Sequence, residues 1–247
     1  MRILVTNDDG FNSTGITVLA EAMSALGEVI VVAPDGNRSA AAHSLTLDRP
    51  LRLKKVRPNW YSCDGTPSDC VHLALNGLLR DERPALVASG INHGANMAQD
   101  ITYSGTVMAA LEAMMIGVPS FAISLDAFHD FEFSGAVEIA PKVARVVLEN
   151  HLPPDTLLNV NVPNLPADRI KGVRATRLGN RLYGDEIEEK VDPRGKKYYW
   201  IAGLERGFVD IEGSDMVAVR DGYISVTPIH FKLTNCDYLE HLKKVQW

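Results

Sequence analysis

The chain has 247 residues, 46% of them hydrophobic, a net charge of −6 and three cysteines. These values suit one large α/β domain, or a core with an added lobe, and exclude little else by themselves. No apolar run reaches the ~18 residues of a membrane span, and the negative balance disfavours a nucleic-acid duplex as partner. Cys63, Cys70 and Cys236 form no CxxC pair and are odd in number, which speaks against a zinc site or a disulfide framework. The chain enters a strand without a charged, apolar and small-residue leader pattern. With reduced thiols, that makes the cytoplasm the expected location.

Arg2 to Thr6 is a short apolar run without helical period, as expected of a strand buried on both faces. Ile16, Leu19, Met23 and Leu26 fall at helical spacing, with Gly27 as the stop. Glu28 to Pro34 reads as a second buried strand. Thr66-Pro67-Ser68-Asp69 predicts a helix start with a box-like cap, followed by an apolar face of Val71, Leu75, Leu78 and Leu79. Ala85 to Ser89 is the third strand, Thr106 to Ile116 a helix, and Ser120 to Leu125 a further strand. Ser134 to Asn150 is helical, with Pro141 expected to kink or divide it. Leu157 to Val162 is strand again. This alternation predicts a doubly wound, mostly parallel, Rossmann-like three-layer sheet.

The rhythm changes after about Pro163, which sets a core of about residues 1–163 and an appendage of about 164–247 in a single domain. Lys197 to Ala202 and Tyr223 to Thr227 read as hairpin strands. Cys236 to Val245 reads as a short helix with Leu239, Leu242 and Val245 on one side.

Ligands of open α/β sheets bind beyond the carboxyl ends of the strands. Asp8 and Asp9 follow the first strand, Asn37, Arg38 and Ser39 the second, and Gly90, Ile91 and Asn92 the third. Paired carboxylates repel unless a cation lies between them or one is protonated. Two carboxylates, a hydroxyl and an amide oxygen make an all-oxygen shell suited to Mg²⁺, Mn²⁺ or Ca²⁺ and poor for zinc. The competing explanation is a turn and helix cap, which Asn, Asp and Ser also serve. Tyr103-Ser104-Gly105-Thr106 opens a helix, where backbone N–H groups and hydroxyls can hold an anion; capping is again the plain alternative. Neither common phosphate fingerprint, GxxxxGK[ST] nor GxGxxG, is present.

VTNDDG (5–10), VAPDGNRSA (32–40), SLTL (44–47), GTPSDCV (65–71), SGINHGANM (89–97) and YSGTVMAALE (103–112) resemble the stationary-phase survival protein SurE family. NVNVP (159–163), DPRGKKYYWI (192–201) and GYISVTP (222–228) extend the resemblance into the appendage. It implies a metal-dependent phosphatase of nucleoside monophosphates, a 5′-nucleotidase with room for 3′-nucleotidase and exopolyphosphatase activity. By that resemblance Asp8 and Asp9 are catalytic, and Asp8, Asp9, Ser39 and Asn92 hold one divalent cation per subunit, Mg²⁺ or Mn²⁺. Asn96, Ser104, Gly105 and Thr106 would line the phosphate site. The family assembles as dimers or tetramers through its C-terminal arm, so a homodimer or homotetramer is expected. Ala40 departs from the family glycine after the NRS serine.

The expected reaction is phosphomonoester hydrolysis, by an activated water or through an aspartyl-phosphate. His43, His93 and His230 are the histidines to consider as general acid. A receiver-like domain is a weak competitor, because no acceptor aspartate ends the third strand. A non-catalytic nucleotide sensor could use the same crevice.

Overall fold

The computed structural model describes residues 1–149, 152–184, 187–201 and 205–246. Asn150 and Ala202, named above at the ends of elements, and the final residue Trp247 lie outside the described residues. In chain order come β1 (Arg2–Thr6), α1 (Thr14–Ser24), β2 (Glu28–Pro34), β3 (Leu53–Arg57), β4 (Trp60–Cys63), α2 (Pro67–Leu73), β5 (Leu86–His93) and α3 (Gly105–Met115). Then follow β6 (Ser120–Asp126), α4 (Ser134–Glu149), β7 (Thr156–Pro163), β8 (Val173–Ala175), β9 (Arg181–Tyr183), β10 (Ile187–Val191), β11 (Lys197–Ile201), β12 (Glu205–Phe208), α5 (Asp215–Arg220), β13 (Ile224–His230) and α6 (Cys236–Leu242).

One nine-stranded sheet runs β3-β4-β2-β1-β5-β6-β7-β13-β8. The pairs from β4 through β2, β1, β5 and β6 to β7 are parallel. Apolar runs form these strands because both faces are covered, which makes a continuous Val/Ile/Leu sequence the stable choice. On one face α1 and α4 bury Ile16, Leu19, Met23, Ile139 and Val143 with Phe121 and Ile123. On the other, α2 and α3 bury Cys70, Val71, Ala109 and Ala113 against Leu4, Val32 and Val87. Each large side chain so buried contributes about 1.5–3 kcal/mol. The strand order reverses at β1, with β2 on one side and β5 on the other. The carboxyl ends of β1 and β5 therefore flank the switch-point crevice.

Four features differ from the sequence expectations. The β3–β4 hairpin at the sheet edge was missed: β3 is mostly solvent-exposed and reads Leu-Lys-Lys-Val-Arg, the charged pattern of a protected edge strand. The sheet does not end at Pro163, because β13 returns antiparallel to β7 and pairs parallel with β8 on its other side. The expected hairpin strand Tyr223 to Thr227 is thus part of the main sheet, and the projecting elements are the β10–β11 and β9–β12 pairs and the tail. Helix α4 runs undivided through Pro141; its buried face of Ala136, Ile139, Ala140, Val143 and Val147 holds it on the sheet despite the missing N–H. Helix α6 is shorter than expected, ending at Leu242, and buries none of its residues. Cys63, Cys70 and Cys236 are free thiols, the first two buried.

Candidate active site

The chain leaves β1 through an Asx-type turn that aims the acidic pair. Asn7 Nδ2 donates to the Gly10 carbonyl (3.1 Å) and to Ser13 Oγ (2.8 Å), while Asn7 Oδ1 accepts from the Gly10 amide (3.2 Å). Gly10 sits at φ +99, a conformation open to glycine at little cost. Asp8 then lies almost wholly buried against the start of α3. The Thr106 hydroxyl donates to Asp8 Oδ1 (2.6 Å) and the Thr106 amide to Asp8 Oδ2 (3.1 Å). Gly105 makes this approach possible: a Cβ there would stand 2.9 Å from Asp8 Cβ and 3.0 Å from Asp8 Oδ2. The helix start thus holds the protein's own carboxylate.

Asp9 turns the other way. Its Oδ2 accepts from the His93 amide (3.0 Å) and lies 3.8 Å from His93 Nδ1. Burial raises the pKa of Asp8 to about 6, with the Asp9 charge adding and the Thr106 hydrogen bonds opposing. Burial raises Asp9 too, against the hydrogen bond from the His93 amide. Burial thus disfavours the ionised form of two neighbouring acids, a cost that a nearby positive charge would relieve.

Asn92 lies inside β5, which runs on to His93 past the expected end at Ser89, and Ser39 lies on the loop after β2. At Asn92, β5 leaves regular register with β6 between Ser89 and Asn92. Asn92 Nδ2 donates to the Gly94 carbonyl (2.8 Å), which turns Oδ1 to within 3.5 Å of Thr106 Oγ1. That hydroxyl therefore stands between the Asn92 and Asp8 oxygens. Ser39 lies on the loop after β2, tied to Asp8 by the Arg38 amide on the Asp8 carbonyl (2.7 Å). Its Oγ donates to Asn37 Oδ1 (2.7 Å), so its lone pairs remain available to a cation.

A cavity of about 270 Å³ brings Asp8, Ser39, Asn92, Asn96 and Ser104 together, with His93 and Tyr103 beside them. Asp9, Gly105 and Thr106 do not line it; the last two stand behind Asp8. Ser104 caps α3 by accepting from the Val107 amide (3.1 Å), which leaves its hydroxyl proton for a ligand. Asn96 is buried, with Nδ2 on Ser124 Oγ (2.8 Å) and its amide on Asn161 Oδ1 (2.8 Å). Asn159 and Asn161 both donate to the Asn96 carbonyl (2.8 and 2.9 Å). Sequence reasoning gave Ser124, Asn159 and Asn161 no role. The available signal was two buried-strand asparagines at alternate positions, both on the face that meets the site.

Of the three histidines, none is placed as a general acid. His93 Nε2 is buried without a hydrogen-bond partner and its ring stacks on Phe131 at 4.2 Å, so it braces Asp9. His43 Nε2 is bound to Glu112 Oε2 (2.8 Å), and His72 Nδ1 to Glu112 Oε1 (2.9 Å). His230 is exposed at the end of β13, where it accepts from the Lys232 amide. Among the described residues no three His, Cys, Asp or Glu side chains form a metal-binding group. The shell read from sequence has only two carboxylates and depends on Ser39 and Asn92 for the rest.

The family profile described as "Survival protein SurE" matches residues 3–185. The chain belongs to the SurE family. A relative from Myxococcus xanthus, "5'-nucleotidase SurE", is 53% identical over 235 residues, covering 95% of this chain and 89% of that protein. One of the same name from Syntrophotalea carbinolica is 52% identical, covering 99% and 97%. The crystal structure of a SurE protein from Aquifex aeolicus matches with a TM-score of 0.87 at 44% identity, covering 99% of this chain and 100% of that one. The SurE fold of that structure is the α/β architecture described above.

Proposed function

We propose that this SurE-family chain is a 5′-nucleotidase, a metal-dependent phosphomonoesterase that releases phosphate from nucleoside monophosphates. The observation that carries the reading is the convergence of the Asp8 carboxylate, the Asn92 amide oxygen and Ser39 on one crevice at the switch point. The similarity to proteins named 5′-nucleotidase, over nearly the whole chain, supports it.

Asp8, Asp9, Ser39 and Asn92 would hold one divalent cation, Mg²⁺ or Mn²⁺, whose oxygen-only donor set fits a hard ion. When bound, such an ion neutralises developing phosphoryl charge and lowers the pKa of water. The chain's own groups do the rest. Thr106 orients Asp8 through two hydrogen bonds, which partly offset the rise in pKa that burial imposes. Ser104 presents a hydroxyl and Asn96 an amide to the phosphate oxygens from the cavity wall. Both Asp8 oxygens are engaged by Thr106, which makes Asp8 a poor nucleophile and favours attack by water.

The three free thiols and the unpacked tail support a cytoplasmic homodimer or homotetramer. Activity on 3′-nucleotides and polyphosphate would use the same phosphate contacts. The decisive experiment is phosphate release from a nucleoside monophosphate with added Mg²⁺ or Mn²⁺. Turnover is expected, and a sensor would bind without releasing phosphate. Asp9→Asn is expected to lose both metal binding and activity; full turnover in that variant would overturn the assigned shell.

A further inference from the structure

Asn96 sits on the turn that follows β5 and belongs to no strand or helix. On either side of it Gly94 and Ala98 stand at φ +110 and +52, the left-handed region. Glycine takes that conformation freely, and alanine only where its surroundings impose it. Asp215 imposes it at one end, where its Oδ2 accepts from the Ala98 amide (2.8 Å).

At Asn96 itself the shape comes from the sheet. Strand β7 carries Asn159 and Asn161, two positions apart and therefore on one face. Both are wholly buried among Leu157, Leu158, Val160 and Val162. Asn161 clasps both main-chain groups of Asn96: its Oδ1 accepts from the amide (2.8 Å) and its Nδ2 donates to the carbonyl (2.9 Å). Asn159 Nδ2 donates to the same carbonyl (2.8 Å), filling its second lone pair. On β6, Ser124 stands in register with Asn161, and its Oγ accepts from Asn96 Nδ2 (2.8 Å). Across β7, Ser225 and Thr227 pair with Asn161 and Asn159, but their hydroxyls bond Thr176 (2.8 and 2.7 Å). The asparagines are left to Asn96.

Packing alone does not account for this cluster. Asn159 Oδ1 is buried and has no hydrogen-bond partner among the described residues. A leucine of similar size would keep the packing and remove that unsatisfied acceptor. Nor does Asn96 need Asn159 for want of a partner, since Asn161 already engages its carbonyl. The second donor narrows the directions open to Asn96. A side-chain amide has two N–H groups. Ser124 takes one, and the other remains at the wall of the crevice that Asn96 lines.

We propose that Asn159, Asn161 and Ser124 are positioning residues of the crevice, which aim the free N–H of Asn96 Nδ2 at a phosphate oxygen. The proposal rests on the phosphatase reading and adds the residues that set phosphate affinity from behind the site. They act before any ligand arrives, so the contact needs no rearrangement when phosphate enters.

The test measures the inhibition constant of inorganic phosphate against a nucleoside 5′-monophosphate at saturating Mn²⁺, together with KM and the melting temperature. Asn159→Leu is expected to raise the inhibition constant and KM about tenfold, the scale of a weakened hydrogen bond to a charged group. Its melting temperature should be no lower than that of the wild type, and the half-saturating Mn²⁺ concentration unchanged. A merely structural asparagine would give the reverse. Ser124→Ala removes a single oxygen and serves should the leucine variant not fold. It is expected to give a similar rise alone and no further rise in an Asn96→Ala background, because it acts through the Asn96 amide. Wild-type phosphate affinity in both variants overturns the positioning role and leaves the phosphatase reading standing. So does a Ser124→Ala effect that persists undiminished beside Asn96→Ala. A wild type that releases no phosphate overturns the phosphatase reading, and the proposal with it.

Discussion

Asp8 is an acid that the fold has made hard to ionise. Burial moves its pKa from the ordinary 3.8 to about 6. In the metal-free protein the unfolded chain therefore ionises first, and native stability falls as pH rises from about 4 to about 6, then levels off. Asp8→Asn removes that penalty. At pH 7 the metal-free variant is expected to be up to about 3 kcal/mol more stable in urea denaturation, with no advantage below pH 4, while metal binding and activity are lost. Thr106 is the matching case. Its hydroxyl was expected to serve phosphate, yet it is committed to Asp8. Thr106→Val should weaken divalent-ion affinity about tenfold, read by calorimetric titration, as removal of a ligand's supporting hydrogen bond does. Unchanged metal affinity with lowered kcat/KM would return the hydroxyl to the phosphate. Ala40 stands at φ +59, the left-handed region, where the family glycine would be unstrained. Ala40→Gly is expected to gain about 1 kcal/mol of stability in the same urea assay.

Helix α3 shows how one element organises the whole site. Its first turn holds Asp8, and near its far end buried Glu112 binds His43, from the loop that carries Ser39, and His72 of α2. The hydrogen bond from His43, then that from His72, holds the Glu112 carboxyl below the usual glutamate range. That contribution is present at neutral pH and is lost as pH falls through the lowered value. Glu112→Gln should cost about 1–3 kcal/mol at pH 7 and raise the Mg²⁺ concentration for half-maximal activity. A variant with normal stability would remove the clamp. The parallel strands were legible because burial on both faces demands unbroken apolar runs, and the acidic pair was legible because polar residues interrupt those runs at their carboxyl ends. The β3–β4 hairpin was not, because an edge strand with one covered face carries no such run. Nor were the partners of Thr106 and Asn96, since hydrogen bonds across 98 and 65 positions leave no local pattern.

At the scale of the molecule, the projecting parts expose what the core hides. Every residue of β10 and β11 is exposed, including Tyr199, Trp200 and Ile201. Helix α6 has seven residues, none of them buried. A helix that short is marginal alone in water, and its exposed apolar residues are the basis for the proposed assembly through the tail. Deleting residues 234–247 should lower the molar mass seen by light scattering while circular dichroism still reports the α/β core. A truncated chain of unchanged assembly mass would remove the tail from that role.

The bond between the Thr106 amide and Asp8 also has a kinetic signature. The donor is wholly buried, and the helix that follows it packs Val107, Ala109 and Ala110 at zero exposure. No small opening frees such an amide; it meets solvent only when α3 leaves the sheet. In deuterium exchange, Thr106 should be among the slowest amides in the chain, exchanging at the rate of global unfolding. The amides of Lys197–Ile201 at the exposed ribbon should exchange far sooner in dilute protein. The acid to which we assign the metal is thereby fastened to the part of the molecule that moves last.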